Sequence, residues 1–344
     1  MRIKLLSIKT IFFLLSPILL YAQNSEWQQL KDVNEVEDVS LEKLNKDNFS
    51  VFQLDIESLK SKLVDAPLRS EYSGISNTVV YFPDVSGNLQ QFRIVETAIF
   101  SSQDNASLHK NIKTYLGSRL DNSGTRIRFS VTPLGFNAMV SEPGKETYFI
   151  QPVTKVSNGQ YLVYNRSARN ETTVNNAFEC LTEDLHLSSR ETMNTLLARD
   201  ANDQLLRTFR IAVSVTQEYT SFWDDGNDAN GIDRDDALAQ MVSTLNRTNE
   251  VFEVDMAITF LLVDTVDDPA LDLIYSPTFP DPYGSDLNGG LQTNLTATVG
   301  ESDYDIGHLL HYGGNNGNAG CIGCVCESGK GSGFSSHSFL DNDG

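Results

Sequence analysis

Between residues 207 and 263 the sequence changes its apolar period twice, and that change limits the kind of sheet the chain can build. Phe209, Ile211, Val213 and Val215 alternate with Arg210, Ala212, Ser214 and Thr216, the two-residue period of a strand. From about Asp235 the apolar positions fall at Leu238, Met241, Val242, Leu245 and Phe252, one stripe of a helix. Asp235 and Asp236 suit the positive end of that helix. Ala257 to Val263 is then almost continuously apolar, as in a strand buried on both faces. Strand, helix, strand predicts a parallel crossover, and hence an α/β sheet with one clear long helix. After Asp264 a loop rich in Pro, Asp and Gly is expected up to Asp303, and Tyr304 to Tyr312 reads as a further strand. Such a sheet needs cover on both faces. One helix covers only one, so the other face is expected to stay open, as in an incomplete domain.

The upstream half reads differently. Residues 23–182 form a β-rich unit, with strands over Thr78–Phe82, Leu89–Phe100, Thr125–Val131, Phe136–Val140, Thr147–Ile150 and Tyr161–Tyr164, and turn residues between them. In Thr125–Val131, Ile127, Phe129 and Val131 share one face and Arg126, Arg128 and Ser130 the other, which predicts a half-buried antiparallel strand. Residues 183–205 are polar and lack alternation, and read as a linker. At the start, Arg2, Lys4 and Lys9 precede a short apolar run from Ile11 to Leu20. A small residue at Ala22 makes residues 1–22 a signal peptide and predicts a secreted, extracellular or periplasmic protein.

Charge narrows the partners. Asp and Glu outnumber Lys and Arg 46 to 26, for a net charge of −20. Such a surface repels phosphate backbones and anionic lipid, so no nucleic acid and no membrane is expected after signal cleavage. A monomer is expected. Calcium is compatible with the acidity.

Few residues select a chemistry unaided. His308 and His311 lie three apart in a strand and so on opposite faces, which speaks against joint chelation. Asp224 to Gly231 resembles a calcium loop in composition but fails the spacing of one, and a solvated turn is expected. Cys321, Cys324 and Cys326 cluster without a second cysteine pair, so disulfides, some to cysteines outside these residues, are favoured over a zinc ribbon. No Gly-x-Ser-x-Gly elbow occurs.

Four stretches carry a resemblance. Arg207 to Tyr219, Thr244 to Thr259, Tyr304 to His311, and Gly320 to Cys326 with Lys330 to Phe334 together resemble the N-terminal half of a reprolysin-like metzincin, a secreted bacterial zinc metalloendopeptidase. The resemblance implies a precursor: an α+β, β-rich propeptide over 23–182, then the N-terminal half of an α/β catalytic domain with a mixed sheet over 206–344. It implies peptide or protein substrates and zinc in the full-length family member. The family's zinc sits on HExxHxxGxxH, which occurs nowhere in these 344 residues. A fragment without its catalytic residues, inactive alone and holding no catalytic zinc, is therefore expected. A non-enzymatic exported binding protein or pseudoprotease is the alternative. By the same resemblance, Gly320, Cys321, Ile322, Gly323, Cys324 and Val325 form the edge strand that takes substrate as an added antiparallel strand. Cys180 is the candidate thiol switch that silences zinc in a zymogen.

Overall fold

The computed structural model describes residues 26–30, 49–155, 157–168, 178–182, 204–227, 233–263 and 272–337. The signal peptide over 1–22, nearly all of the 183–205 linker and residues 228–231 of the 224–231 loop lie outside the described residues.

The first sheet has nine strands. They are β1 (Trp27–Leu30), β2 (Phe49–Leu54), β3 (Val79–Pro83), β4 (Leu89–Thr97), β5 (Lys113–Arg119), β6 (Arg126–Thr132), β7 (Gly135–Ser141), β8 (Tyr148–Pro152) and β9 (Gln160–Asn165). Helix α1 (Ile56–Leu63) follows β2, and α2 (Gln103–Leu108) follows β4. The strands run antiparallel in the order β1-β2-β9-β8-β7-β6-β5-β4-β3. The two ends of that order meet: the rings of Trp27 on β1 and Phe82 on β3 have centroids 6.3 Å apart. The sheet therefore curls around its own core, in which Phe82, Phe92, Phe129, Phe136 and Tyr161 are fully buried. An all-aromatic layer of this kind suits a strongly curled sheet, because large rings fill the concave side.

The second sheet holds β10 (Glu179–Cys180), β11 (Arg207–Val215), β12 (Ile258–Leu262), β13 (Ile306–Tyr312), β14 (Asn316–Asn318) and β15 (Gly333–His337). Helices α3 (Gln217–Trp223), α4 (Asp233–Met256) and α5 (Leu287–Thr298) belong with it. Its order is β10-β14-β15-β13-β11-β12. β11 pairs parallel with β12 and β13, β13 parallel with β15, and β14 antiparallel with β15. The expected crossover and mixed sheet are present.

Two expectations fail here, each for a physical reason. The first concerns α5, inside what reads as a loop. Gly289 and Gly290 weaken the helical signal by about 1 kcal/mol each relative to Ala. The carboxylate of Asp286 compensates by accepting the Gly289 amide at 3.0 Å as an N-cap. Helix α5 and the Leu273–Tyr283 segment then cover the face expected to stay open, burying Leu273, Tyr283, Leu291, Leu295, Tyr304 and Leu309. Gly307 permits this approach, since a Cβ there would lie 2.3 Å from Leu295 Cδ1.

The second concerns β6, which is buried on both faces rather than one. Arg128 and Ser130 are as buried as Ile127 and Phe129, because α4 lies across their side of the sheet. Phe178 to Thr182 lies against the second sheet, not the first.

Candidate functional site

The candidate site lies at the β14 edge of the second sheet. β14 is Asn-Gly-Asn, a strand with no apolar or β-branched side chain, held to β15 by antiparallel pairing from Asn316–Ser336 to Asn318–Phe334. Its outer rim is taken by β10, which adds in parallel with Glu179 opposite Asn316 and Cys180 opposite Gly317. The Glu179 amide donates to Asn315 O at 2.9 Å, and the Leu181 amide to Gly317 O at 2.8 Å. The Ala319 amide donates to Thr182 Oγ1 at 2.8 Å, and Asn318 Nδ2 donates to Leu181 O at 3.3 Å. Main-chain pairing of this sort recognises an extended peptide with little regard to its side chains. Gly317 is required by the closeness of the two segments: a Cβ there would sit 2.9 Å from Phe178 Cζ and 3.0 Å from Phe334 O.

The residues expected to form this edge strand are placed elsewhere. Gly320, Cys321, Ile322, Gly323, Cys324 and Val325 form a turn region after β14 and make no ladder. Gly320 and Gly323 have φ of +67° and +81°, which an extended strand excludes. Cys321 and Cys324 are joined in a disulfide that closes this turn, so two of the clustered cysteines partner each other. Cys326 is free and exposed. The strand at this edge, β14, lies a few residues upstream of them. Cys180, the thiol-switch candidate, is free, exposed and on the added strand itself.

The histidines stay apart. His308 Nε2 lies 3.0 Å from Ser335 Oγ, and burial pushes its imidazole down to about 4, so it is neutral at physiological pH. His311 Nδ1 lies 2.9 Å from Thr216 Oγ1 and 3.8 Å from Glu218. Burial lowers its pKa too, against the pull of Glu218 and Asp281. Beside it a cleft of about 530 Å³ opens between α3 and β13, floored by Phe222 stacked on Tyr312 at 4.3 Å.

Three acids converge at a second place, where the turn begun by Asp224 meets the start of α4. The carboxylates of Asp224, Asp225 and Asp236 bring one oxygen each within 4.8 Å of one another. Asp236 is 1% exposed, and burial first, then Asp225 and Asp224, pushes it up to about 7. Its Oδ2 accepts the Asp225 amide at 3.0 Å. Burial lowers the pKa of Lys155, in the loop after β8, against the opposing pull of Asp224, Asp236 and Asp225. Among the described residues this is the one convergence of three such acids, and so the place to which the calcium expectation attaches.

Residues 205–343 match the family model of the reprolysin-like metallo-peptidases, family M12B. The match covers the whole second sheet except β10, and leaves the first sheet outside it. No curated protein matches the chain. The match supports a metallopeptidase-type function, with peptide or protein substrates, in a family whose members typically bind zinc. The described residues do not fit that zinc. His308 and His311 lie on opposite faces of β13 with separate partners, and no third histidine or thiol converges with either.

Proposed function

We propose that the chain is the precursor form of a secreted metalloendopeptidase, with residues 205–343 as part of the peptidase domain and the first sheet as its propeptide. The observation that carries this reading is β10: a piece of the upstream chain lies as an extra strand on the edge of the very domain that matches a peptidase family. A peptide substrate would add to β14 in the same place. The direction also matters. In the resemblance drawn from sequence, substrate runs antiparallel to this edge, whereas β10 runs parallel to β14. A reversed strand occupies the edge while presenting its peptide bonds in the wrong sense for cleavage. Cys180 sits on that strand as the thiol that would accompany such blocking. Export through residues 1–22 belongs to the same proposal.

These 344 residues contain no HExxH motif. No catalytic step is assigned to them, and hydrolysis by this chain is not expected. That absence also supports a second reading, a peptide-binding protein or pseudoprotease using the same edge.

The test is Leu181→Pro in the full chain, which removes the amide that bonds Gly317 O. A fluorescently labelled, unstructured peptide should then bind with at least tenfold higher affinity than to the unsubstituted chain, as read by anisotropy. If neither protein binds peptide, the edge is not a substrate site. An HExxH motif in the coding sequence that follows these residues would separate the two readings in favour of the enzyme.

A further inference from the structure

Residues from the first sheet's unit hold the second sheet at three separate places. At one edge is β10 on β14. At the opposite edge Phe100 bridges Leu262 in parallel, with the Ser101 amide donating to Leu262 O at 2.8 Å and the Leu262 amide to Ile99 O at 2.7 Å. Upstream chain thus pairs with both rims of the sheet, along β14 and at Leu262 of β12, where an exposed edge would otherwise recruit other strands. Between them, α4 is clasped by β6 and β7. Arg126 forks onto Glu250 with Nε–Oε1 2.9 Å and Nη2–Oε2 3.0 Å. Arg128 reaches Glu253 at 2.9 Å and Asn246 Oδ1 at 2.9 Å. Ser130 meets Ser243 at 2.9 Å, and Ser141 donates to Glu250 at 2.7 Å.

These contacts divide the labour. Ile99, Phe100, Ile112 and Leu134 from the upstream unit join the same buried cluster as Met241, Val242 and Phe260. That apolar contact supplies affinity. The charge network supplies register: with Arg128 and Glu250 both 1% exposed, any slipped arrangement would bury a charge without its partner. None of these contacts depends on the peptide link between residues 183 and 203. A cut there leaves Phe178–Thr182 on the upstream fragment.

We propose that the first sheet is a docked partner rather than a tethered one, so that cutting the chain within 183–203 leaves the two fragments bound, with β10 still on the β14 edge. Cleavage and uncovering of the edge are then separate events, and uncovering requires the α4 clasp to open. This inference concerns the chain's hold on itself and stands whether or not the edge serves a peptidase.

The experiment places a recognition sequence for a sequence-specific protease within residues 185–200 of the full chain. After cutting, the fragments should co-elute in size exclusion at neutral pH. The Glu179 and Leu181 amides should keep the slow hydrogen exchange of the uncut protein. Separate elution, or co-elution with those amides exchanging freely, overturns the proposal. Glu253→Ala, which strips Arg128 of its buried partner, should weaken fragment association at least tenfold; unchanged association also overturns it. Because that variant risks misfolding, Arg128→Met with Glu253→Met serves as its check. Replacing both charges with apolar groups of similar size should restore co-elution, and failure to restore it rules out the clasp as the holding contact.

Discussion

Helix α4 is buried on two sides by opposite means. Toward the second sheet it presents Leu238, Met241, Val242 and Leu245, all inside one apolar cluster. Toward the first sheet it presents Ser243, Asn246, Glu250 and Glu253, each paired with a polar group of β6 or β7. The apolar side tolerates any close-packed neighbour. The polar side accepts only one register, because Glu250 is met by Arg126 and Ser141 together and Glu253 by Arg69, Arg126 and Arg128, and a slip would break the whole set at once. The helix is thus fixed to its own sheet by burial and aligned on the other sheet by charge.

The largest effect is expected from breaking the polar side. Burial alone would raise the pKa of Glu253, yet Arg128 and Arg69 more than offset this and hold it below the ordinary carboxylate range. Glu253→Ala leaves Arg128 buried without a counter-charge and should cost about 4 kcal/mol of unfolding free energy, the scale of a broken buried ion pair. Chemical denaturation midpoints measure it. A loss below about 1 kcal/mol would mean that water already reaches this network. On the apolar side, Leu238→Ala empties a fully buried position and should cost about 3 kcal/mol by the same assay. The distinguishing result lies in fragment association: Glu253→Ala should weaken it more than Leu238→Ala, because Glu253 pairs directly with Arg69 and Arg128 of the upstream unit.

The same contrast explains what the sequence disclosed. The apolar stripe of α4 and the alternation of β11 are local patterns, and both strand and helix stand where that period put them. The alternation of Arg126, Arg128 and Ser130 is equally clear but misleads, since their cover comes from residues more than a hundred positions downstream. A charged face reads as wet unless its partner is visible, and no local period shows the partner. The edge strand failed for a related reason. Asn316–Asn318 has no strand-forming side chain, so its pairing depends on β15 and β10 rather than on its own residues. Cys180 was singled out as a thiol near the end of the upstream unit, and the structure adds what spacing could not, its place on the edge of the other sheet.

A buried acid without a basic clasp should behave in the opposite sense. Asp236 titrates at about 7 when folded against 3.8 as its ordinary value, because burial and the neighbouring Asp225 and Asp224 disfavour its charge. The unfolded chain therefore releases this proton first. Stability from this group is greatest below about pH 4, falls as pH rises toward 7, and is flat above. Asp224 is exposed and Lys155 stands nearby, so screening reduces the effect to about 1 kcal/mol. Asp236→Asn should accordingly raise the melting temperature at pH 8 and leave it unchanged near pH 4. A loss of stability at pH 8 would show that the ionised carboxylate is being used, with a bound cation as the direct explanation.

The smallest effect is expected where the chemistry matches the α4 clasp but burial does not. Arg210 bonds Asp305 through Nη2 at 2.8 Å and Nε at 3.3 Å, a fork like that of Arg126 on Glu250. Here the arginine side chain is 42% exposed and the aspartate 20%. The hydrogen bond from Arg210 lowers the Asp305 pKa, so the pair contributes above the unfolded carboxylate's titration and is lost as pH falls through the lowered value. Water screens the attraction and competes for both partners, which holds an exposed pair to about 0.5 kcal/mol. Arg210→Gln should thus shift the melting temperature by only about 1–2 °C at low salt. In 1 M salt, where the screening length is about 3 Å, the shift should vanish. The Glu253→Ala loss should persist in the same salt, because ions do not enter the α4 interface. If salt erased both effects alike, burial would not be what separates the two ion pairs, and the polar side of α4 would be an ordinary surface contact rather than the element that sets the register between the sheets.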